Sequence, residues 1–171
     1  FIGGQHACWR ALLPGGSGYL NELKAYISSV KIGQPRQYLG HNPIGRISVS
    51  ILLFLLLIQA LTGLVLAGTD IFFPPFGAWI TEWIAAPGVD PDTLRPYAKA
   101  MYDATAYEEM RVFRKPFIVT HYYVFYALIA FILIHILAVV ISEIREDSNL
   151  APAMFSGKKT LNQPPSDQAS K

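Results

Sequence analysis

Two stretches of the chain are apolar over a length that suits a membrane. Residues 47–68, ISVSILLFLLLIQALTGLVLAG, hold 22 positions and no charge, enough for a helix to cross a ~30 Å hydrocarbon core. Residues 116–143, PFIVTHYYVFYALIAFILIHILAVVISE, form the second. Gln59 and Thr62 are the buried polar side chains expected in the first span. Its small residues Ala60, Gly63, Ala67 and Gly68 admit another helix or a flat cofactor at close range, helix packing being the simpler reading. Around the spans the pattern predicts shorter elements. Leu20, Leu23, Tyr26 and Ile27 share one face of a helix over 18–30, capped by Ser17 and lying on the membrane surface or a partner. Gly33, Pro35, Gly40 and Pro43 mark a loop, and Pro43 starts the next helix. In 77–86, Trp79 and Trp83 fall on one face, as at a membrane interface. Asp90-Pro91 predicts the start of a polar helix that runs to about Arg114 outside the bilayer. Residues 161–171 carry no apolar periodicity and are expected to be disordered.

The expected fold is therefore all-α, a transmembrane helical bundle with interfacial helices. Its expected segments are 1–46 (the end of a preceding span, an interfacial helix and a loop), 47–68 (a span), 69–115 (a long connection with short helices), 116–143 (a span) and 144–171 (a tail). Composition agrees: 52% of the 171 residues are hydrophobic and 15% charged, against ~25% charged in soluble domains. A net charge of +2 gives no reason to expect a nucleic-acid partner. The single cysteine, Cys8, excludes an intrachain disulfide, a CxxCH attachment and a cysteine-ligated cluster, and reads as a packing or interface residue. The first residue is Phe1 and no signal-peptide pattern follows, so the chain is expected to be the later part of a longer protein.

Charge also sets an expected orientation. Residues 1–46 carry Arg10, Lys24, Lys31, Arg36 and Arg46 against Glu22 alone; residues 69–115 carry seven acids and five bases. Basic loops stay in the cytoplasm. Both ends are thus expected there and the long connection outside, which in a bacterium, at its inner membrane, is the periplasm. A connection of that length suits docking of a partner.

The candidate chemistry lies in the second span. His121 and His135 are 14 residues apart, which on a helix places them within ~40° of one face and ~21 Å apart along the axis. An imidazole inside lipid is a functional hypothesis by default. A shared metal ion would need its ligands to converge within ~2 Å of it, so the pair suits two stacked haems, each gripped from this side by one histidine. The competing reading is a helix–helix hydrogen bond. Ala130 leaves room midway, and Tyr122, Tyr123 and Tyr126 crowd the upper end as interface or pocket-wall residues. His41, with Asn42 and Arg46, is a weaker candidate for a haem propionate or quinone neighbourhood, a loop-structuring role beside Asn42-Pro43 being the alternative. His6 reads as an exposed helix-end residue. No hydrolase, nucleotide-binding or metalloprotease motif is present.

The sequence resembles the bacterial cytochrome b561 superfamily, most closely the b-type cytochrome subunits of membrane-bound nickel–iron hydrogenases. The segments that carry the resemblance are FIGGQHACW, PRQYLGHNPIGR, LTG in the first span, the paired His121 and His135, and ISEIREDSNLAPAMFSGKK. It leaves out the connection 69–115 and the last residues. The resemblance implies half of a four-helix bundle carrying b haem, commonly two. His121 and His135 would be axial ligands, and the opposing histidines would come from N-terminal transmembrane helices or a companion chain. It implies electron transfer between periplasmic oxidoreductase subunits and membrane quinone, menaquinone or ubiquinone. Two rival readings stand beside it. One is a haem-free anchor that recruits a periplasmic enzyme. The other is a transporter with relay histidines, weakened by the lack of acids within either span.

Overall fold

The computed structural model describes residues 12–146, 152, 156–158 and 160–167. Expectations for residues 1–11, with His6 and Cys8, for most of 147–159 and for 168–171 lie outside the described residues. What is described is helical: α1 (Tyr19–Lys31), α2 (Pro43–Ile71), α3 (Gly77–Ile84) and α4 (Ala104–Glu146), with single 3-10 turns at Pro91–Thr93 and Lys99–Met101. Two of these, α2 and α4, are long and apolar enough to cross a membrane. Only 6% of the apolar window of each is buried within the chain. The core helix of a soluble domain would be mostly covered, so these surfaces are built to meet lipid or further helices.

The helix carrying both histidines differs from expectation at its start. It begins at Ala104 rather than at Pro116, and Pro116 lies inside it. Its first turn is capped by Asp103, whose Oδ1 accepts from the backbone N–H of Thr105 (3.0 Å) and Ala106 (2.9 Å). At ~1.5 Å per residue its 43 residues reach ~65 Å, about twice a ~30 Å bilayer core. The polar first turns, with Glu108, Glu109, Arg111, Arg114 and Lys115, are therefore the part that projects. The polar helix expected from Asp90-Pro91 is only a 3-10 turn, in which Asp90 caps the N–H of Asp92. Likewise Ser17 does not cap α1. Gly18 does the job in the left-handed conformation (φ 101°), a backbone region that glycine enters without strain.

The chain divides into two compact units, one of residues 54–128 and one of residues 1–53 with 129–171. In the first, the connection between the spans has a core of its own. Ile80, Ile84, Leu94, Tyr102 and Met110 are buried together, with Phe72, Trp83, Val89 and Tyr107 packed against them. Backbone bonds close it: Asp103 N–H to Ile84 O (2.9 Å) and Ala86 N–H to Met101 O (3.0 Å). Gly77 is required here, since a Cβ would come within 1.9 Å of Phe72 O. The indoles of Trp79 and Trp83 stack at 5.7 Å, and both meet Phe113 edge-on. This pins α3 to the first turns of α4. Asp70, at the end of α2, forms an ion pair with Arg114 of α4.

In the second unit, α1 and the loop before α2 pack around Tyr26 and Tyr38, which meet edge-on at 5.8 Å. Burial pushes the Tyr38 phenol up to about 12, with Glu22 adding to the shift and Arg36 opposing it. It therefore stays protonated at physiological pH and acts as a packing group. Residues 160–167 are irregular, as the pattern implies, yet they are tied to this loop. Gln37 Oε1 accepts from the N–H of Asn162 (2.8 Å) and Gln163 (3.1 Å), and the Asp167 carboxylate accepts from Leu39 N–H (2.7 Å) and Gly40 N–H (2.8 Å).

Truncation of Ile84 to alanine is expected to cost the connection roughly 2–5 kcal/mol. The readout is hydrogen exchange across residues 72–103. Faster exchange there, with the spans unchanged, is the expected result; an unchanged pattern would mean this core is not a unit.

Candidate haem-ligand sites

On α4 the covered positions form one stripe. In the unit of residues 54–128, His121, Val124, Ala127 and Leu128 are covered, while Tyr122, Tyr123, Phe125 and Tyr126 are exposed. In the other unit, Phe131, His135, Val139 and Ser142 are covered, while Leu133, Ile134, Ile136 and Leu137 are exposed. This is the spacing of a helix with one face against a neighbour. In each unit the imidazole belongs to the covered face and turns toward the α2 residues of that unit.

His121 is held at both ring nitrogens. Thr62 Oγ1 lies 2.9 Å from its Nδ1, and the Gln59 amide Nε2 lies 2.8 Å from its Nε2. The directions follow from proton counting. Thr62 has one hydroxyl proton and gives it to Ile58 O at 2.8 Å, with Gln59 O at 3.2 Å as a second acceptor. Its oxygen therefore accepts from Nδ1–H, and the lone pair at Nε2 accepts from the Gln59 amide. Gly63 lies beside the ring, where a Cβ would be in van der Waals contact with His121 Cε1 at 3.4 Å. The carbonyl Oε1 of Gln59 is buried with no partner, which marks its amide as held by the ring rather than by a network of its own.

His135 repeats half of this arrangement. Ser48 Oγ lies 3.0 Å from its Nδ1. Among the described residues Nε2 makes no hydrogen bond. Each histidine thus meets an α2 hydroxyl at Nδ1. The reading from sequence named Gln59 and Thr62 only as buried polar atoms and did not single out Ser48. The available signal was that Ser48 and Thr62 are separated by the same 14 residues as His121 and His135.

The loop residues have structural work. Asn42 caps α2, its Oδ1 accepting from Gly45 N–H at 2.7 Å, and its Nδ2 donates to Tyr26 OH at 2.8 Å. Pro43 follows as the first helical residue, where its missing N–H costs nothing. His41 is half-buried beside the cap. Arg46 is half-buried one turn into α2, and its Nε is buried without a partner, as is Nε of Arg114. Among the described residues, no group of three or more His, Cys, Asp or Glu side chains is placed to hold a metal ion.

The fold and these sites define an all-helical membrane protein whose long span presents two inward-facing histidines. Residues 6–157 match the prokaryotic cytochrome b561 family, and the chain belongs to that family. No curated protein and no solved structure matches the chain. Membership makes it a membrane b-type cytochrome of the electron-transfer kind, from a family that binds haem b. The residues fit that group. Neutral imidazole with its proton on Nδ1 and its lone pair on Nε2 is the form that iron takes as an axial ligand, and it is the form that Thr62 sets at His121. Iron at Nε2 and the Gln59 amide at Nε2 exclude one another, so a haem held by His121 would require that amide to turn away.

Gln59→Leu is therefore expected to tighten haem binding by roughly fivefold, the equivalent of one hydrogen bond of about 1 kcal/mol lost from the haem-free state. Haem titration of protein produced without haem checks this. Weaker binding would show that Gln59 supports the loaded site instead.

Proposed function

We propose that the chain passes electrons between periplasmic oxidoreductase subunits, hydrogenase-like in kind, and quinone in the bacterial inner membrane. In this reading two b haems are bound, one to Nε2 of His121 and one to Nε2 of His135. The opposing ligands would come from outside the described residues, on other transmembrane helices. The observation that carries the reading is the repeated bond between an α2 hydroxyl and Nδ1, which makes Nε2 the ligand atom in this reading, open at His135 and freed at His121 once the Gln59 amide turns away. A haem held by these histidines would supply reversible one-electron chemistry.

The chain's own residues do the rest. His121 and His135 hold the iron, and Thr62 and Ser48 hold the imidazole proton. The exposed apolar surface of α2 and α4 keeps water from the span. The folded connection of residues 72–103, with its own core, suits a rigid docking platform for the periplasmic partner. At the other side, His41, Asn42 and Arg46 mark the neighbourhood proposed for a haem carboxylate or for quinone, menaquinone or ubiquinone. Asn42 serves there as the cap of α2, and Arg46 has an unpartnered Nε–H to offer. The excess of basic residues in 1–46 supports a cytoplasmic placement for this end.

The test is haem content by reduced-minus-oxidised difference spectra of the purified, assembled protein. Wild type is expected to hold two b haems, and His121→Ala and His135→Ala to lose one each while the protein still assembles. An assembled wild type without haem, or single variants with full haem content, would overturn the reading in favour of a haem-free anchor.

A further inference from the structure

The two hydroxyls differ in what their own protons do, and the difference bears on how each ligand is set. Thr62 is buried at 7% exposure and its proton is committed to Ile58 O at 2.8 Å. Nδ1 of His121 therefore has to be the donor in their 2.9 Å bond. Gln59 enforces the same form from the other side of the ring by donating to Nε2 at 2.8 Å. Ser48 is only half-buried, and its hydroxyl makes no second hydrogen bond among the described residues. Ser50, two residues further along the same helix, shows the contrast: its hydroxyl donates to Arg46 O at 2.8 Å. The Ser48 hydroxyl is free either to give its proton to Nδ1 of His135 or to accept one from it.

We infer that Thr62 and Ser48 are positioning residues for the two haem ligands and that they act unequally. Thr62 locks His121 as the Nδ1–H tautomer before iron arrives, whereas Ser48 leaves His135 in both tautomers until iron takes Nε2. This rests on the reading that both histidines ligate haem. Its consequence reaches the electronic properties of the two sites. A hydroxyl polarised by donating to a carbonyl is a stronger acceptor. A stronger acceptor at Nδ1–H makes Nε2 a more basic ligand, which favours the ferric state.

The experiment uses the full chain in lipid nanodiscs, with and without haem. Nitrogen-15 spectra of the histidine-labelled, haem-free protein are expected to show a single Nδ1–H tautomer for His121 and a mixture for His135. In a Gln59→Leu background, which removes the constraint at Nε2, Thr62→Val is expected to turn His121 into a mixture, loosen one haem about tenfold and raise that haem's midpoint potential. Thr62→Ser, which keeps the hydroxyl, is expected to restore all three. Ser48→Ala is expected to affect the other haem while leaving the haem-free His135 mixture as it was. In the Gln59→Leu background, an unchanged tautomer and potential in Thr62→Val, or a Thr62→Ser variant as damaged as Thr62→Val, would overturn this inference alone if the wild type holds haem that His121→Ala loses. Absence of haem from the wild type would overturn the parent reading instead.

Discussion

An imidazole placed inside a bilayer has two nitrogens and no water to satisfy them. That constraint organises this protein. A span that carried histidine for packing alone would do better with leucine, because every unmet polar atom in hydrocarbon costs several kcal/mol. Here both rings face α2, and α2 provides a hydroxyl to the same nitrogen, Nδ1, each time. The sequence of α2 is otherwise almost wholly aliphatic through this region, so its hydroxyl and amide side chains are the unusual positions, and three of them touch a histidine. The arrangement satisfies Nδ1 of each ring and sets Nε2 as the other end, open at His135 and met by the Gln59 amide at His121. In a family that binds haem b, that remaining end is what matters.

The rest of the fold keeps this register. Asp70 and Arg114 pair where α2 ends and α4 is still polar. The stacked Trp79 and Trp83 hold α3 against Phe113, and the buried cluster around Ile80 and Ile84 makes the connection a folded piece rather than a tether. At the start of α2, Asn42 caps the helix and ties it to Tyr26 of α1, while Tyr19 OH donates to Pro43 O at 2.7 Å. Each contact fixes the axial position of a helix whose function depends on which side chain sits at which level.

Much of this was legible in the sequence because hydrophobicity and helical period are local properties. The two spans, the start of α2 at Pro43, the shared face of Trp79 and Trp83, and the pair His121 and His135 can all be read from spacing alone. What escaped depends on contacts far apart along the chain or on rules with exceptions. Pro116 reads as a helix boundary, since proline removes one backbone donor, yet α4 passes through it. Asp90-Pro91 has the signature of a helix start, but the chain turns back after one 3-10 turn to build the core around Leu94 and Tyr102. Residues 160–167 have no pattern to reveal that Gln37 and Asp167 would tie them to a loop some 125 positions earlier. Ser48 is one hydroxyl in an ordinary-looking stretch, and its meaning appears only when His135 is placed beside it. Family membership was carried by short motifs and the spaced histidines, and the match over residues 6–157 extends across the connection that those motifs left out.

The account stands most directly on a structure of the haem-loaded protein in lipid, determined at a resolution that separates the two ring nitrogens of each histidine. It predicts iron at Nε2 of both His121 and His135, with Nδ1 of each still within hydrogen-bond reach of Thr62 and Ser48 and the Gln59 amide turned from the ring. Iron at Nδ1, imidazoles rotated out to the acyl chains, or haem held by other residues would contradict it.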